Sequence, residues 1–326
     1  MIEVKKLAKR FEGGEALKGI DFKVNVGEIC ALAGAKGSGK TTAADLLAGS
    51  IEQDAGQILV CGVDIMEHPS QARQHLGYVP AKAALYLDMT PRAGMKFIAD
   101  ARGISGREAA EMIDAAVRRF GLKDIVDTKM NKLSAGARKM VALAQAAFTN
   151  PEVIVIDEPT AGLDPKEILE MRAAIGKLRK AHAVVLTSES LTELCAVADR
   201  VLILKDGAVA AEGTPDELHR LTMNDGTLHL TVRGEESAVK NALSAVRDAE
   251  LTKVEAAEEG AYEAVLTAKS GADIREAAFR AVCGKGLVLL GMKNGTKPLD
   301  ELLMGLTSER IVLAPEKEEQ ADEGGI

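Results

Sequence analysis

The fold can be inferred outward from one stretch of the 326-residue chain, Gly34-Ala-Lys-Gly-Ser-Gly-Lys40-Thr41, which matches the pattern GxxxxGK[ST] in full. The apolar run Val24–Gly34 predicts a strand before it, and Thr41–Gly49 predicts a helix after it. Glycines between a strand and a helix let successive backbone N–H groups point into one concavity beside a helix N-terminus. The stretch is therefore predicted to bind phosphate groups.

Individual side chains of this loop have predicted parts in phosphate binding. Lys40 supplies a positive charge for the terminal phosphates of a nucleotide, and the Thr41 hydroxyl can ligate Mg²⁺. The residues expected to surround the phosphates are Gly34, Ala35, Lys36, Gly37, Ser38, Gly39, Lys40, Thr41 and Thr42.

Two further candidate residues follow an apolar strand. Pro151–Pro159 is a continuous β-branched run that is typical of a buried parallel strand, and Asp157 and Glu158 lie at its C-terminal end, where such sheets bind ligands. Asp157 is suited to hold Mg²⁺, and Glu158 is suited to polarise an attacking water. The alternative for Glu158 is an acid that caps a helix or faces solvent.

The order of elements predicts two domains and a tail. Strands alternate with helices up to about residue 222, which indicates an α/β domain with a parallel sheet covered by helices. Residues 226–312 read as βαββαβ plus a helix, which suggests a small ferredoxin-like α+β domain. We see no catalytic pattern there and expect a packing or regulatory role. The predicted boundaries are 1–222, 226–312 and an acidic tail, 313–326.

Composition narrows the classes of partner. Lys and Arg total 41 and Asp and Glu total 49, so the net charge is −8 and no nucleic-acid partner is expected. The chain shows neither the apolar core of a signal peptide nor an apolar run of about 20 residues that could span a membrane. We expect a soluble cytoplasmic chain whose role at a membrane comes through a partner.

The four cysteines, at positions 30, 61, 195 and 283, form no CxxC pair and have no histidine cluster beside them in the sequence. We interpret them as buried or half-buried thiols in a reducing compartment, and not as a metal site or a disulfide framework.

Taken together, these motifs resemble those of the ATP-binding subunits of ABC transporters, over nearly all of residues 1–218. Leu133-Ser134-Ala135-Gly136-Ala137 resembles the family's LSGGQ signature, and Ala161–Asp164 resembles the loop that follows the catalytic glutamate. Phe11 occupies the position of an aromatic residue that stacks on adenine, although it could equally be a core residue. Gly77–Thr90 resembles the loop that meets the membrane subunit. The small second domain resembles C-terminal extensions of exporter-type members.

The resemblance implies a P-loop NTPase fold of the ABC type with a helical subdomain, and it implies ATP and Mg²⁺ as ligands. Two such domains would close head to tail around two ATP molecules, as a homodimer or a heterodimer. Ser134 and the backbone of Gly136 would then bind the partner's γ-phosphate. Hydrolysis, with Glu158 and Lys40 as the catalytic pair, would drive separate membrane-spanning subunits from the inner face of the cell membrane.

Two positions depart from the family's pattern. Ala81 replaces the glutamine that touches Mg²⁺ and the attacking water, and Glu189 replaces the histidine beside the γ-phosphate. Because phosphoryl transfer depends on positioning and charge stabilisation, both changes predict slow hydrolysis. The Glu189 carboxylate would either turn away from the phosphate or be neutralised by Lys82 across the cleft, and we hypothesise this charge pair. The alternative is that both replacements are tolerated and leave the activity unchanged. Lys139 and Met140 are weaker departures, in place of the Gln-Arg that trails the signature.

These observations leave alternative functions open. The leading hypothesis is the ATPase subunit of an ABC exporter, and the alternative is a hydrolysis-poor ATP-dependent clamp or the degenerate regulatory half of a heterodimeric pair. A soluble ABC ATPase that acts on DNA or ribosomes is disfavoured, because the chain is acidic and has a single phosphate loop without a long insertion between Lys40 and Asp157.

Overall fold

The glycine stretch lies between a strand and a helix, as predicted. In a computed structural model the strand spans Ile29–Ala33 and the helix begins at Lys40. The structure describes residues 1–257, 260–269, 272–296, 299–305 and 311–312, so the predicted acidic tail lies outside the described residues. The chain divides into two compact units, of which the second is Leu218–Leu302.

The first unit alternates strands and helices and ends in helix α8 (Pro215–Thr222), which continues into the second unit. Its earlier elements are β1 (Ile2–Phe11), β2 (Gly14–Val24), β3 (Ile29–Ala33), α1 (Lys40–Leu47), β4 (Ala55–Val60), β5 (Val63–Asp64), α2 (Pro69–Gln74), β6 (Leu76–Val79), α3 (Pro91–Ala101), α4 (Gly106–Arg119), α5 (Ala135–Ala147), β7 (Val153–Asp157), α6 (Pro165–Leu178), β8 (Ala183–Ser188), α7 (Leu191–Cys195), β9 (Arg200–Lys205) and β10 (Ala208–Gly213).

A largely parallel sheet is the centre of this unit. Strands β6, β7, β8, β3 and β9 lie side by side in that order and run parallel, and β10 adds an antiparallel strand. Every residue of β3, β7 and β8 is buried, which explains their continuous apolar sequences. The order brings the C-terminal ends of β3 and β7 to one edge, with β8 between them. This confirms the predicted α/β architecture, and α3, α4 and α5 supply its helical segment.

A second, antiparallel sheet was not predicted. Its four strands have the order β2-β1-β4-β5, and the predicted strand Val24–Gly34 is divided between the end of β2, a turn and β3. Residues on β1, β2 and β4 pack with α1 and the parallel sheet in one apolar cluster. The glycine loop therefore connects a strand and a helix, β3 and α1, that both pack in this cluster.

The second unit has the predicted alternation of strands and helices. Its elements are β11 (Met223–Arg233), α9 (Glu236–Ser244), β12 (Ala249–Ala256), β13 (Ala261–Ala268), α10 (Arg275–Cys283), β14 (Val288–Thr296) and α11 (Leu299–Gly305). The sheet is antiparallel with the order β12-β13-β11-β14, and α9 and α10 cover a core of alternating apolar residues. This is the ferredoxin-like arrangement. The strand β15 (Ile311–Val312) follows in the chain but belongs to the first unit, in which it pairs in parallel with β10.

Candidate functional site

The phosphate loop is a tight turn that requires glycine at two positions. Gly39 immediately precedes α1 and has a φ of 101°. This left-handed backbone conformation is unfavourable for residues that carry a β-carbon. A Cβ atom on Gly34 would overlap Ser38 and the carbonyl of Leu204. The other loop residues, Ala35, Lys36 and Gly37, are exposed, and Thr42 is half-buried in the first turn of α1.

Lys40 folds back over this loop. Its ammonium group donates hydrogen bonds to the carbonyl of Gly34 at 2.7 Å and to that of Ala35 at 2.9 Å. Burial lowers the pKa of Lys40, against the opposing effect of Glu158, Glu189 and Asp157. A buried cation is thus held by two carbonyl oxygens of the loop.

Asp157 provides an unsatisfied buried acceptor at the end of β7. The residue is 1% exposed, and one carboxylate oxygen accepts a hydrogen bond from the Thr187 hydroxyl. The other oxygen, Oδ2, is buried and has no hydrogen-bond partner within the described part of the chain. Such an orphaned oxygen fits a hard cation, because Mg²⁺ prefers oxygen ligands. Thr41, exposed on the first turn of α1, offers a hydroxyl for the same ion.

Glu158 has an unusual backbone conformation and a perturbed carboxyl group. Its φ is 48°, in the left-handed region, and its N–H donates to the carbonyl of Thr187 at 3.1 Å. Burial raises the pKa of Glu158, and the charges of Asp157 and Glu189 raise it further, while Lys40 opposes them. The structure thus brings three predicted site residues, Lys40, Asp157 and Glu158, into one electrostatic environment.

Lys139 belongs to the same region, although the sequence marked it only as a departure after the signature. Its ammonium group donates to the carbonyl of Glu158 at 2.7 Å and to that of Ala161 at 2.8 Å. Burial lowers the pKa of Lys139, and Glu158 and Asp157 oppose that shift. The sequence indicates that a lysine in the first turns of the signature helix can reach nearby carbonyl groups. It does not show which carbonyl groups those are, because they belong to a distant segment of the chain.

The signature-like residues lie at the N-terminus of α5. The Ser134 hydroxyl accepts from the N–H of Ala137 at 3.1 Å and donates to Glu167 at 3.2 Å. A Cβ atom on the buried Gly136 would overlap the same Glu167 carboxylate. Glu167 itself forms a capping box with Asp164 at the start of α6. The signature is therefore held by α6, and the contacts described for it do not include the phosphate loop.

Phe11 is at the end of β1 and is 48% exposed, so the alternative of a core residue is wrong. The Lys9 ammonium lies 5.5 Å from the centre of its ring. The exposed ring face is available to a planar ligand.

The predicted pair of Lys82 and Glu189 is not formed. Both side chains are exposed, and no ion pair joins them among the residues that the structure describes. The Glu189 carboxylate acts instead on Lys40 and Glu158. Ala81 is half-buried in the segment between β6 and α3 and carries no polar side chain toward the site.

The cysteine interpretation needs two corrections. Cys283 is exposed, so the thiols are not all buried or half-buried. Cys61 has no histidine nearby in the sequence, but in space it lies with His75 and Glu152, their ligand atoms all within 4.8 Å of one another. The proximity of His75 and Glu152 could have been predicted, because the two residues precede neighbouring strands of the parallel sheet. The position of Cys61 could not, because this residue lies in a turn of the antiparallel sheet.

In the described part of the chain, none of the helices combines the length and apolar character needed to cross a membrane.

Comparisons with known proteins identify the family of the chain. A family model described as "ABC transporter" matches residues 17–161. The probable multidrug ABC transporter ATP-binding protein YbhF of Escherichia coli (strain K12) is 33% identical over 225 residues, which cover 69% of this chain and 39% of YbhF. The chain thus matches well under half the length of that relative.

Two further relatives match along most of their length. The lipopolysaccharide export system ATP-binding protein LptB of Escherichia coli (strain K12) is 31% identical over 221 residues, which cover 67% of this chain and 92% of LptB. The solved structure of CbiO1 from Clostridium perfringens, part of the ABC transporter complex CbiONQ, has a TM-score of 0.61 and 27% identity over 67% of this chain and 89% of CbiO1. The chain therefore belongs to the ATP-binding subunits of ABC transporters, a family of ATPases.

Proposed function

We propose that this chain binds ATP with Mg²⁺ and hydrolyses it to drive an exporter through separate membrane-spanning subunits. One observation carries the proposal: Lys40, Glu158 and the unpartnered oxygen of Asp157 share one edge of the parallel sheet. Two of the relatives are named for export or multidrug transport, which supports the direction.

The phosphate groups would bind in the loop before α1. Backbone N–H groups of Gly37 and Gly39 face the phosphates, and Lys40 exchanges its bonds to loop carbonyls for phosphate oxygens. The exposed Phe11 ring stacks on adenine. Asp157 and Thr41 would hold Mg²⁺, which supplies positive charge that neutralises the phosphate oxygens.

Glu158 is the group that would accept a proton from the attacking water. A general base works best when its pKa approaches the working pH, and burial moves the Glu158 pKa in that direction. Its backbone N–H donates to the hydroxyl of Thr187 at 3.2 Å, which holds the main chain of Glu158 at the end of β7, directly after Asp157.

A second ATP-binding subunit completes this site. Ser134 and Gly136 would be presented to the partner's γ-phosphate, with Glu167 holding the serine in place. The partner is either a second copy of this chain or a different subunit.

The membrane partner would contact the segment after β6. Tyr86, Leu87 and Phe97 are exposed apolar side chains there, and the rings of Tyr86 and Phe97 meet edge to face at 5.5 Å. Exposed apolar groups close together are typical of a protein interface. The chain would then lie at the inner face of the membrane.

The test compares Glu158→Gln with the intact chain in two assays, Mg²⁺-dependent ATP hydrolysis and ATP binding. We expect turnover to fall by at least about 10²-fold, with ATP binding retained. The matched control is Glu170→Gln on the exposed face of α6, which should hydrolyse ATP normally. Equal turnover in Glu158→Gln and the intact chain would contradict the proposed role of Glu158.

The second candidate function is a hydrolysis-poor clamp or the degenerate half of a pair. Ala81 and Glu189 favour it, because one lacks a polar group and the other adds negative charge next to Glu158. The double variant Ala81→Gln with Glu189→His should raise turnover by up to about 10²-fold. This gain matches the loss in kcat that an enzyme suffers when one donor that stabilises transition-state charge is removed. Unchanged turnover would mean that these positions do not limit hydrolysis.

A further inference from the structure

We propose that Cys61, His75 and Glu152 form a binding site for a divalent transition-metal ion of the zinc class. The three side chains offer a sulfur, an imidazole nitrogen and a carboxylate oxygen, all within 4.8 Å of one another. These are the three ligand types that zinc uses in proteins. The family resemblance and the nucleotide chemistry assign no part to any of them.

The backbone fixes the positions of all three residues. His75 follows the last residue of α2, and its carbonyl accepts from the N–H of Val153, the first residue of β7. Since Leu76 pairs with Val153 in the parallel sheet, His75 and Glu152 are neighbours at the start of two adjacent strands. Their separation therefore depends on the sheet and not on a mobile loop.

Cys61 reaches this pair from the antiparallel sheet. It occupies the turn between β4 and β5 with a φ of 51°, and its N–H donates to the carbonyl of Met1 at 2.8 Å. The thiol is half-buried and the other two side chains are reachable from solvent, so an ion can enter. A metal held here would connect the two sheets of the first unit.

The distances are compatible with one ion after small side-chain movements. Nδ1 of His75 lies 2.9 Å from Oε2 of Glu152. Ligand atoms of a tetrahedral zinc are about 3–4 Å apart, given bonds of about 2.0–2.3 Å. Three protein ligands leave the fourth position to water.

This site is separate from the nucleotide site. Glu152 precedes β7 and Asp157 ends it, and five residues of strand span roughly 16 Å. The donor sets differ as well, because the Asp157 site offers oxygen ligands for Mg²⁺, whereas a thiolate and an imidazole select a softer ion.

The experiment uses the full chain, stripped of metal and kept reduced, with any affinity tag at its C-terminus because the Met1 amine lies 3.9 Å from the Cys61 sulfur. Co²⁺ is titrated as a coloured substitute for Zn²⁺. We expect one equivalent to give a thiolate-to-cobalt charge-transfer absorption that Zn²⁺ removes and excess Mg²⁺ does not. Zn²⁺ should also raise the thermal unfolding midpoint.

The variants decide whether these residues bind the ion. Cys61→Ser should abolish the absorption, and His75→Gln and Glu152→Gln should each weaken Co²⁺ binding at least about tenfold. Cys283→Ser, an exposed thiol in the other unit, is the matched control and should bind Co²⁺ normally. If Cys61→Ser does not fold, the variants of the half-buried His75 and the exposed Glu152 decide. The proposal is overturned if the intact chain gives no absorption, if Cys61→Ser keeps it, or if His75→Gln and Glu152→Gln bind as tightly as the intact chain.

Discussion

The ammonium group of Lys139 donates a hydrogen bond of 2.7 Å to the main-chain carbonyl of Glu158. A second bond from the same group reaches Ala161 at 2.8 Å. Helix α5, which begins at the signature, is thereby tied to the segment after β7, which carries the proposed base. The signature of one chain and its own base are connected by a single side chain.

Lys139→Met should lower turnover by about tenfold and leave ATP binding nearly unchanged. Without the two charge-assisted bonds, the carbonyls of Glu158 and Ala161 lose the donor that orients them, so the base is held less accurately. Steady-state kinetics separate kcat from KM. Lys132→Met, at an exposed position before the signature, is the control, and a change in KM alone would contradict a positioning role.

Glu189→Gln should move the acid limb of the turnover profile to lower pH. Glu158 must be ionised to accept a proton, and burial, Asp157 and Glu189 all raise its pKa. Removing the charge of Glu189 lowers the Glu158 pKa, so turnover persists at more acidic pH. The measurement is the pH dependence of kcat for Glu189→Gln beside Glu170→Gln. Superimposable profiles would show that Glu189 does not act on the base.

Tyr78→Phe should reduce the free energy of unfolding by about 1–2 kcal/mol. The phenol of Tyr78 donates to a carboxylate oxygen of Asp45 at 2.8 Å, which joins β6 to α1, the helix that follows the phosphate loop. Urea denaturation measures the change. Tyr86→Phe removes a hydroxyl from an exposed ring and should have no effect on stability.

His182 should make the chain sensitive to acid. It is fully buried, and its Nδ1 lies 2.5 Å from the carbonyl of Pro151. Burial lowers its pKa, so the folded state favours the neutral ring. The resulting stability is complete above the unfolded pKa of about 6.5 and is lost as the pH falls below it. The measurement is the urea concentration at the unfolding midpoint, taken between pH 5 and 8. As the pH is lowered, this midpoint should fall less for His182→Gln than for the exposed control His68→Gln. The same pH dependence in both variants would contradict the claim that the buried His182 ring causes the acid sensitivity.

Much of the fold could be predicted because it depends on local pattern. A buried strand that ends in two carboxylates and a glycine loop before a helix each occupy consecutive residues, so Asp157 and Lys40 could be named as candidate site residues from the sequence alone. The alternation in the second unit predicted its strands and helices for the same reason. The antiparallel sheet was missed, because Ile2–Phe11 gives a strand pattern without naming a partner.

Contacts between distant segments were the part that could not be predicted. Cys61 meets His75 only because the β4–β5 turn packs beside the parallel sheet, and no spacing encodes that. Long side chains are equally hard to place. Lys82 was expected to turn toward Glu189 but is exposed, whereas Lys139, which drew little attention, reaches the carbonyl after β7.

The left-handed backbone at Glu158 has a consequence for engineering. Glycine adopts that conformation without the steric penalty that a β-carbon brings, and one base change converts a glutamate codon into a glycine codon. A library of this chain selected only for resistance to heat should therefore recover glycine at position 158, as a more robust protein that lacks the proposed base for ATP hydrolysis. Any thermostabilisation of this protein needs an activity screen at every round.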